Sequence, residues 1–193
     1  MRRLLFFSNN KNKITEIKKI FEKFNLELLS LVDLGISDEP KENGKTFEEN
    51  AKIKSDYGFN KTGIPCFADD SGICIETFNW KPGVFSKRFL NNFKSNKACF
   101  KSIIKSTKTN GKQKAYFKTS ISLTIKNDQN ILFNGKINGK ISDQIKGEFG
   151  FGYDPIFIPK NYIRTLAELS TKEKNEISHR SIAVTKLINF LTN

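Results

Sequence analysis

Two adjacent carboxylates, Asp69 and Asp70, stand between apolar segments and are followed by Ser71 and Gly72. The apolar segments, residues 66–68 and 73–75, predict two short buried strands. Adjacent residues on a strand point to opposite faces, so the two carboxylates are expected to have different tasks. One can hold the structure while the other faces a ligand. The structural alternative is a plain turn, since Asp, Ser and Gly are ordinary turn residues.

A second polar segment, residues 8–13, lies between a predicted strand at 3–7 and an amphipathic helix with apolar residues recurring from Ile14 to Phe24. The start of a helix favours an anion through its backbone N–H groups and dipole, and Lys13 adds a full positive charge. The segment therefore suits a phosphate. The alternative is a helix that Ser8, Asn10 and Asn12 merely cap.

An acidic loop at 33–45 includes Glu42, which could bring a carboxylate to a metal ion. A capping-box pattern at 46–49 predicts that a helix follows. On that helix Asn50 and Lys54 are four residues apart and share a face. Lys54 could meet a phosphate there, or it could belong to a solvated helix side.

Glycines alternate with aromatic residues at 148–153, just before Asp154 and Pro155. Open backbone beside flat rings suits a planar ligand such as a base, with Asp154 as a hydrogen-bond acceptor. An aromatic-packed turn is the structural alternative. Further along, His179 and Arg180 fall in the first turn of a predicted terminal helix. Positive charge there opposes the helix dipole, which favours a role in ligand contact.

The length of 193 residues fits one domain, or one domain with a substantial lobe, and can bury a real core. The formal net charge is +13. The lysines are spread along the whole chain with no block of like charge, so we expect attraction to polyphosphates and no dedicated nucleic-acid binding.

No apolar run is long enough to span a membrane, and the first apolar run is too short for a signal peptide. The three cysteines are an odd set without metal-like spacing. They predict free thiols in a reducing cytosol, and so a cytoplasmic protein.

Six segments, in order along nearly the whole chain, resemble the inosine triphosphate pyrophosphatase family. They are Ser8-x-Asn10-x-x-Lys13-x-x-Glu16, Thr46-Phe47-x-Glu49-Asn50-Ala51-x-x-Lys54, Ala68-Asp69-Asp70-Ser71-Gly72, Pro82-Gly83-Val84-Phe85-Ser86-x-Arg88, Phe149-Gly150-Phe151-Gly152-Tyr153-Asp154-Pro155-Ile156-Phe157 and Glu173-Lys174-Asn175-x-Ile177-Ser178-His179-Arg180.

The resemblance implies an enzyme that cleaves ITP, dITP or XTP with Mg²⁺ to the monophosphate and pyrophosphate, so that these nucleotides do not enter DNA and RNA. It implies an elongated single α/β domain over residues 1–193, with a mixed β-sheet forming two lobes around a central nucleotide-binding cleft. A homodimer is the implied assembly.

The resemblance also implies the site residues. Asp70 becomes the general base and a metal ligand, and Glu42 becomes the second metal ligand. The residues implied for the triphosphate and sugar are Ser8, Asn9, Asn10, Lys11, Asn12, Lys13, Lys54 and Ser71. Those implied for the base pocket are Phe151, Gly152, Tyr153, Asp154, Lys174, His179 and Arg180. Lys174 and Arg180 carry only donors, which suit a 6-keto oxygen and oppose adenine's 6-amino group.

Three other interpretations remain open. A Maf-type nucleotide pyrophosphatase would act on modified pyrimidines, but the Ser-His-Arg and Phe-Gly-Tyr-Asp elements argue against it. A basic nucleic-acid-binding protein would show strong salt dependence and no turnover. An inactive relative would have lost residues such as Asp70, Lys13 or Arg180, all of which are present.

Overall fold

The structure is a computed structural model that describes residues 3–22, 24, 26–127 and 129–192. The chain divides into two compact units. The first unit comprises residues 1–70, 119–135 and 180–193, and the second comprises residues 71–118 and 136–179. Three long strands contribute residues to both units.

The strands of the described chain are β1 Arg3–Phe6, β2 Glu27–Ser30, β3 Cys66–Ile75, β4 Lys81–Pro82, β5 Lys114–Lys126, β6 Gln129–Ile141 and β7 Phe157–Pro159. Its helices are α1 Lys11–Phe21, α2 Phe47–Thr62, α3 Ser86–Asn91, α4 Asn96–Asn110, α5 Thr171–Ile177 and α6 His179–Thr192. The strands are hydrogen-bonded in the order β2-β1-β3-β5-β6-β7, and β4 pairs with β3. β1 is parallel to β2 and β3, whereas β4 and β7 are antiparallel to their partners. The predicted α/β class with a mixed sheet is confirmed.

Strand β3 continues without a break through the two adjacent carboxylates. The prediction of two short strands was therefore wrong, and so was the alternative of a plain turn. Asp69 and Asp70 are both buried, and each has polar partners described below. With those partners a carboxylate can stay inside a buried strand, since a buried charge is tolerated when it is paired. The predicted divergence of the two side chains holds because the strand is continuous.

The core of the first unit packs helices α1 and α6 against strand β3 and its neighbours. Phe67 of β3 stacks between Phe6 and Phe21, with ring centroids 4.9 and 5.7 Å away. The predicted terminal helix is α6, which buries Ala183 and Leu187 among other apolar residues. Phe67 lies two residues before Asp69, so this packing fixes where the carboxylates emerge.

The core of the second unit joins the other half of β3 to helix α4 and to strands β5 and β7. Phe117 of β5 meets Phe157 of β7 edge to face at 4.8 Å. Tyr153 packs near Phe100 of α4, at 6.1 Å between ring centroids. The predicted glycine–aromatic segment is thereby anchored to the core at its end.

Within the described residues, no helix combines the length and apolar character needed to cross a membrane. Cys66, Cys74 and Cys99 are buried and carry free thiols.

Candidate functional site

The first unit gathers acidic and basic side chains from distant parts of the chain into one group. We call it the Asp70 cluster: Lys13, Glu42, Asn50, Lys54, Asp69, Asp70 and Arg180. All but Lys13 and Glu42 are buried, and these two are partly buried. Helices α1, α2 and α6, strand β3 and the acidic loop each contribute at least one member. Opposite charges held together away from water interact strongly, and each needs its partners.

Asp69 holds two of the cations. Lys13 Nζ lies 3.0 Å from Asp69 Oδ1, and Arg180 Nε donates to Asp69 Oδ2 over 3.3 Å. Arg180 also donates to Glu16 through Nη1, at 2.5 Å. Because Asp69 is only 1% exposed, its charge is committed to Lys13 and Arg180. Asp69 is therefore the structural member of the carboxylate pair.

The guanidinium of Arg180 is held inside the first unit by two carboxylates. Burial alone would lower its pKa, but Asp69 and Glu16 outweigh that effect and raise the pKa of Arg180. Burial lowers the pKa of Lys13, with Asp69 acting in the opposite direction. The sequence predicted that Arg180 acts with Lys174 on a base. The structure places Arg180 beside Lys13, and it places Lys174 in a group of the second unit.

Asp70 has different surroundings from its neighbour. Its Oδ2 accepts from Asn50 Nδ2 at 3.0 Å, and Asn50 Oδ1 in turn accepts from the Gly44 N–H at 2.9 Å. Burial raises the pKa of Asp70, while Lys54, Lys13 and the Asn50 hydrogen bond partly offset the rise. A carboxylate with a raised pKa is a better proton acceptor, which suits a general base.

Glu42 and Asp70 are the carboxylates that could hold a metal ion here. Lys54 Nζ lies 3.2 Å from Glu42 Oε2, and the charge of Glu42 is close enough to add to the rise in the pKa of Asp70. Within the described residues, no three His, Cys, Asp or Glu side chains converge as a closed metal site. Mg²⁺ usually keeps several waters and binds through one or two carboxylates and substrate phosphates. The two carboxylates fit that donor set.

The polar segment before α1 is arranged as a helix cap. Asn10 Oδ1 accepts from the N–H groups of Asn12 and Lys13, and Ser8 Oγ accepts from the Asn10 N–H. Asn9, Lys11 and Asn12 are exposed, whereas Ser8 is buried. The structure therefore contains the helix cap that the alternative interpretation of this segment predicted. The cap also aims α1 so that Lys13 reaches Asp69. Phosphate binding by this segment stays a prediction.

The second unit contains a smaller group, the Asp154 cluster: Phe151, Tyr153, Asp154 and Lys174. Lys174 Nζ lies 2.6 Å from Asp154 Oδ2, and the Phe151 N–H donates to the same oxygen at 2.8 Å. The same ammonium lies 4.8 Å from the centre of the Phe151 ring. Asp154 and Lys174 side chains are only 4% and 6% exposed. A cation this close to the face of an aromatic ring is attracted to it, so Phe151 helps Asp154 to hold the ammonium in place.

Glycines let this loop approach the carboxylate closely. Gly150 has φ +79°, and a Cβ atom there would lie 2.2 Å from Asp154 Oδ2. Gly152 has φ +62°, but a Cβ atom there would have open space. Position 150 therefore requires glycine for both backbone and contact reasons, and position 152 for backbone reasons alone.

Tyr153 and two further predicted site residues have clear positions in the second unit. The Tyr153 hydroxyl donates to the Ser86 carbonyl oxygen at 2.7 Å. The His179 imidazole stacks on Phe117, with ring centroids 4.7 Å apart. Ser71 is half-buried on β3. Tyr153 and His179 therefore have packing partners within the unit, and their predicted contact with a base stays a prediction.

Three members of these networks were absent from the predicted site: Glu16, Asn50 and Asp69. Glu16 follows Lys13 by three residues on α1, and Asn50 precedes Lys54 by four on α2. That helical spacing places each on the same face as a predicted residue. This helical spacing was the signal by which the sequence could have pointed to Glu16 and Asn50. It did not reveal that Glu16 pairs with Arg180 or that Asn50 pairs with Asp70.

The comparisons with known proteins agree over almost the whole chain. A family model described as the Ham1 family matches residues 4–190. The "dITP/XTP pyrophosphatase" of Christiangramia forsetii is 40% identical over 190 residues, 98% of this chain and 99% of that protein. The protein of the same name from Flavobacterium johnsoniae is 41% identical, with 98% of both chains covered. The solved HAM1 protein from Coxiella burnetii has a TM-score of 0.88 at 32% identity, covering 100% of this chain and 99% of that one.

Proposed function

Because the chain belongs to the Ham1 family, we propose that it hydrolyses the deaminated purine nucleoside triphosphates ITP, dITP and XTP to monophosphate and pyrophosphate. Such an enzyme keeps these nucleotides out of DNA and RNA. The observation that carries the proposal is Asp70, a buried carboxylate with a raised pKa in one cluster with Lys13 and Lys54. The names of the two relatives support the choice of substrate.

The Asp70 cluster takes the triphosphate. Attack on a phosphorus that carries several negative charges requires cations beside the oxygens, and Lys13 and Lys54 supply them. Asp70 accepts the proton of the attacking water at its carboxylate. Asn50 holds that carboxylate in place, since its own amide is oriented by Gly44. Asp69 fixes the positions of the Lys13 and Arg180 side chains, because both are bonded to it.

Mg²⁺ is the metal ion that we propose, with Asp70 and Glu42 as its protein ligands. Two carboxylates suit an ion that completes its octahedron with water and phosphate oxygens. When bound, Mg²⁺ neutralises charge on the phosphates and orients them.

The Asp154 cluster reads the base. Lys174 is a donor without an acceptor, so a 6-keto oxygen satisfies it and a 6-amino group does not. Lys174 is buried and one of its N–H donors is taken by Asp154, so a 6-amino group would set the remaining N–H donors against another donor away from water. Such mismatches support roughly 10⁴-fold discrimination. GTP also has a 6-keto oxygen, so this contact separates ITP and XTP from ATP only. The Arg180 guanidinium is bonded to Asp69 and Glu16. Arg180 is the second side chain that we propose to contact the substrate.

The assembly and compartment complete the proposal. We expect a homodimer, as the family resemblance implies, and sedimentation at micromolar concentration tests it. A cytoplasmic location suits three buried free thiols, because free cysteines persist in a reducing compartment.

The deciding experiment measures pyrophosphate release from ITP, XTP, GTP, ATP and dTTP with Mg²⁺. We expect turnover of ITP and XTP far above ATP and dTTP. Asp70→Asn should lower kcat about 10² to 10⁴-fold, since it removes general-base catalysis while keeping the side-chain shape.

Asp33→Asn is the matched control, because Asp33 is an exposed carboxylate of the first unit. It should leave kcat unchanged. Orthophosphate as the product would refute the proposed reaction, and preference for dTTP would favour a Maf-type enzyme. Equal loss of activity in the two variants would remove Asp70 from its assigned role.

A further inference from the structure

A groove of about 780 Å³ lies on one face of the second unit, and none of its lining residues belongs to the Asp70 or Asp154 cluster. Six of its lining residues matter here, and we call them the aromatic–lysine groove: Trp80, Lys114, Tyr116, Lys136, Lys140 and Lys160. The remaining lining residues are neutral. In the part of the chain that the structure describes, no Asp or Glu lines this groove.

Strand alternation explains why these side chains share a face. On β5, Ala115 and Phe117 belong to the core, so Lys114 and Tyr116 point to the opposite side of the sheet. On β6, Ile137 and Ile141 pack on the core, and Lys136 and Lys140 alternate with them. The groove is therefore the solvated side of a sheet whose other side is buried.

Two neighbouring aromatic rings line the groove. The Trp80 and Tyr116 ring centroids are 5.4 Å apart, and Lys136 Nζ lies 3.8 Å from the centre of the Tyr116 ring. The Trp80 side chain remains accessible, with the residue 44% exposed. Asn79 and Trp80 both have left-handed backbone, at φ 51° and 64°. That conformation is costly for a bulky residue and is typical of functional positions.

We propose that the aromatic–lysine groove binds single-stranded nucleic acid. A positively charged groove combined with exposed aromatic rings is the arrangement that single strands require, since the rings stack bases and the lysines follow the phosphates. Lys136 and Lys140 are four residues apart on a strand, about 13 Å. That separation suits an extended polyanion contacted at several points better than one mononucleotide.

The charge of the groove argues against a second copy of this chain as the occupant. In a two-fold symmetric contact the same patch meets itself, so eight lysines would face one another without a carboxylate in the lining. The even spread of lysines along the sequence predicted no dedicated nucleic-acid site. Folding brings four of them together on one face.

The chain offers its own probe, because Trp80 is its single tryptophan. Titration of the full-length protein with a dT12 oligonucleotide should quench the intrinsic fluorescence when a base stacks on the indole. Four phosphate contacts predict a slope of log K against log salt near −2.8, at about −0.7 per contact for single strands. Binding should therefore weaken about 50-fold between 50 and 200 mM salt.

A matched pair of double variants separates the groove from overall charge. Lys136→Gln with Lys140→Gln should halve the salt slope and weaken binding. Lys97→Gln with Lys101→Gln removes the same charge from exposed positions four apart on α4, and it should leave binding nearly unchanged. Both variants should retain pyrophosphate release from ITP, so the outcome is independent of the proposed function.

Three results would overturn the proposal: no quenching, equal weakening in the two double variants, or equal quenching by poly-glutamate. Sedimentation supplies a further check. If the Lys136/Lys140 variant changes the oligomeric state while dT12 does not bind, the groove is an interface between copies of this chain and the proposal fails.

Discussion

The buried pair of Lys174 and Asp154 gives the sharpest prediction for the second unit. Replacing Lys174 by Met keeps the length of the side chain but removes its charge, which leaves Asp154 buried without the ammonium 2.6 Å away. Breaking a buried ion pair in this way costs about 3 to 5 kcal/mol. Both side chains are more than nine-tenths buried, so solvent screening does little to reduce the penalty. A loss of this size lowers Tm by about 6 to 20 °C in a chain of this length.

A double-mutant cycle distinguishes pairing from packing. Lys174→Met combined with Asp154→Leu removes both charges and should recover part of the lost stability. The recovery is incomplete because the Phe151 N–H loses its acceptor, which costs about 1 to 3 kcal/mol when the group stays buried. Lys172→Met is the control, since Lys172 is exposed on the same helix.

The assay follows unfolding by denaturant and the ratio of kcat/KM for ITP to that for ATP. We expect the ratio to fall in both Lys174 variants and to hold in the control. If Lys174→Met costs less than about 1 kcal/mol, the pair does not organise the cluster as we argue. An unchanged ITP-to-ATP ratio in a folded Lys174→Met protein would show that Lys174 does not read the base.

Three further predictions follow from other contacts. Gly152→Ala should cost about 1 to 2 kcal/mol of unfolding free energy from its positive φ alone. Gly150→Ala should cost more and also lower the ratio of kcat/KM for ITP to that for ATP, because its Cβ would meet Asp154. Equal effects of the two variants would contradict the contact argument. EDTA should abolish turnover, and Glu42→Gln should raise the Mg²⁺ concentration for half-maximal rate about tenfold or more; an unchanged Mg²⁺ requirement would exclude Glu42 as a ligand. Burial raises the pKa of Cys99 to about 11, which leaves about 0.1% thiolate at pH 8, so Ellman's reagent should label no cysteine of the native protein rapidly and all three after unfolding.

Local patterns in the sequence were sufficient for most of the fold. Helical periodicity predicted α1 and α6, and the capping box predicted the start of α2, because these signals involve residues within one or two turns. The divergence of Asp69 and Asp70 followed from the two-residue period of a strand. The continuity of β3 was missed, since two carboxylates and a glycine look like a turn until their partners are known.

The partners themselves were decided by tertiary structure. Lys13 and Asp69 are 56 residues apart, and Arg180 and Asp69 are 111 apart. No local spacing encodes such a contact, because it depends on how the strands and helices pack. The same is true of the groove lysines, because Lys114 lies on β5, Lys136 and Lys140 lie on β6, and Lys160 directly follows β7. The sequence by itself determined which residues could do chemistry. Packing decided which of them meet, because burial and long-range contact are properties of the folded chain as a whole.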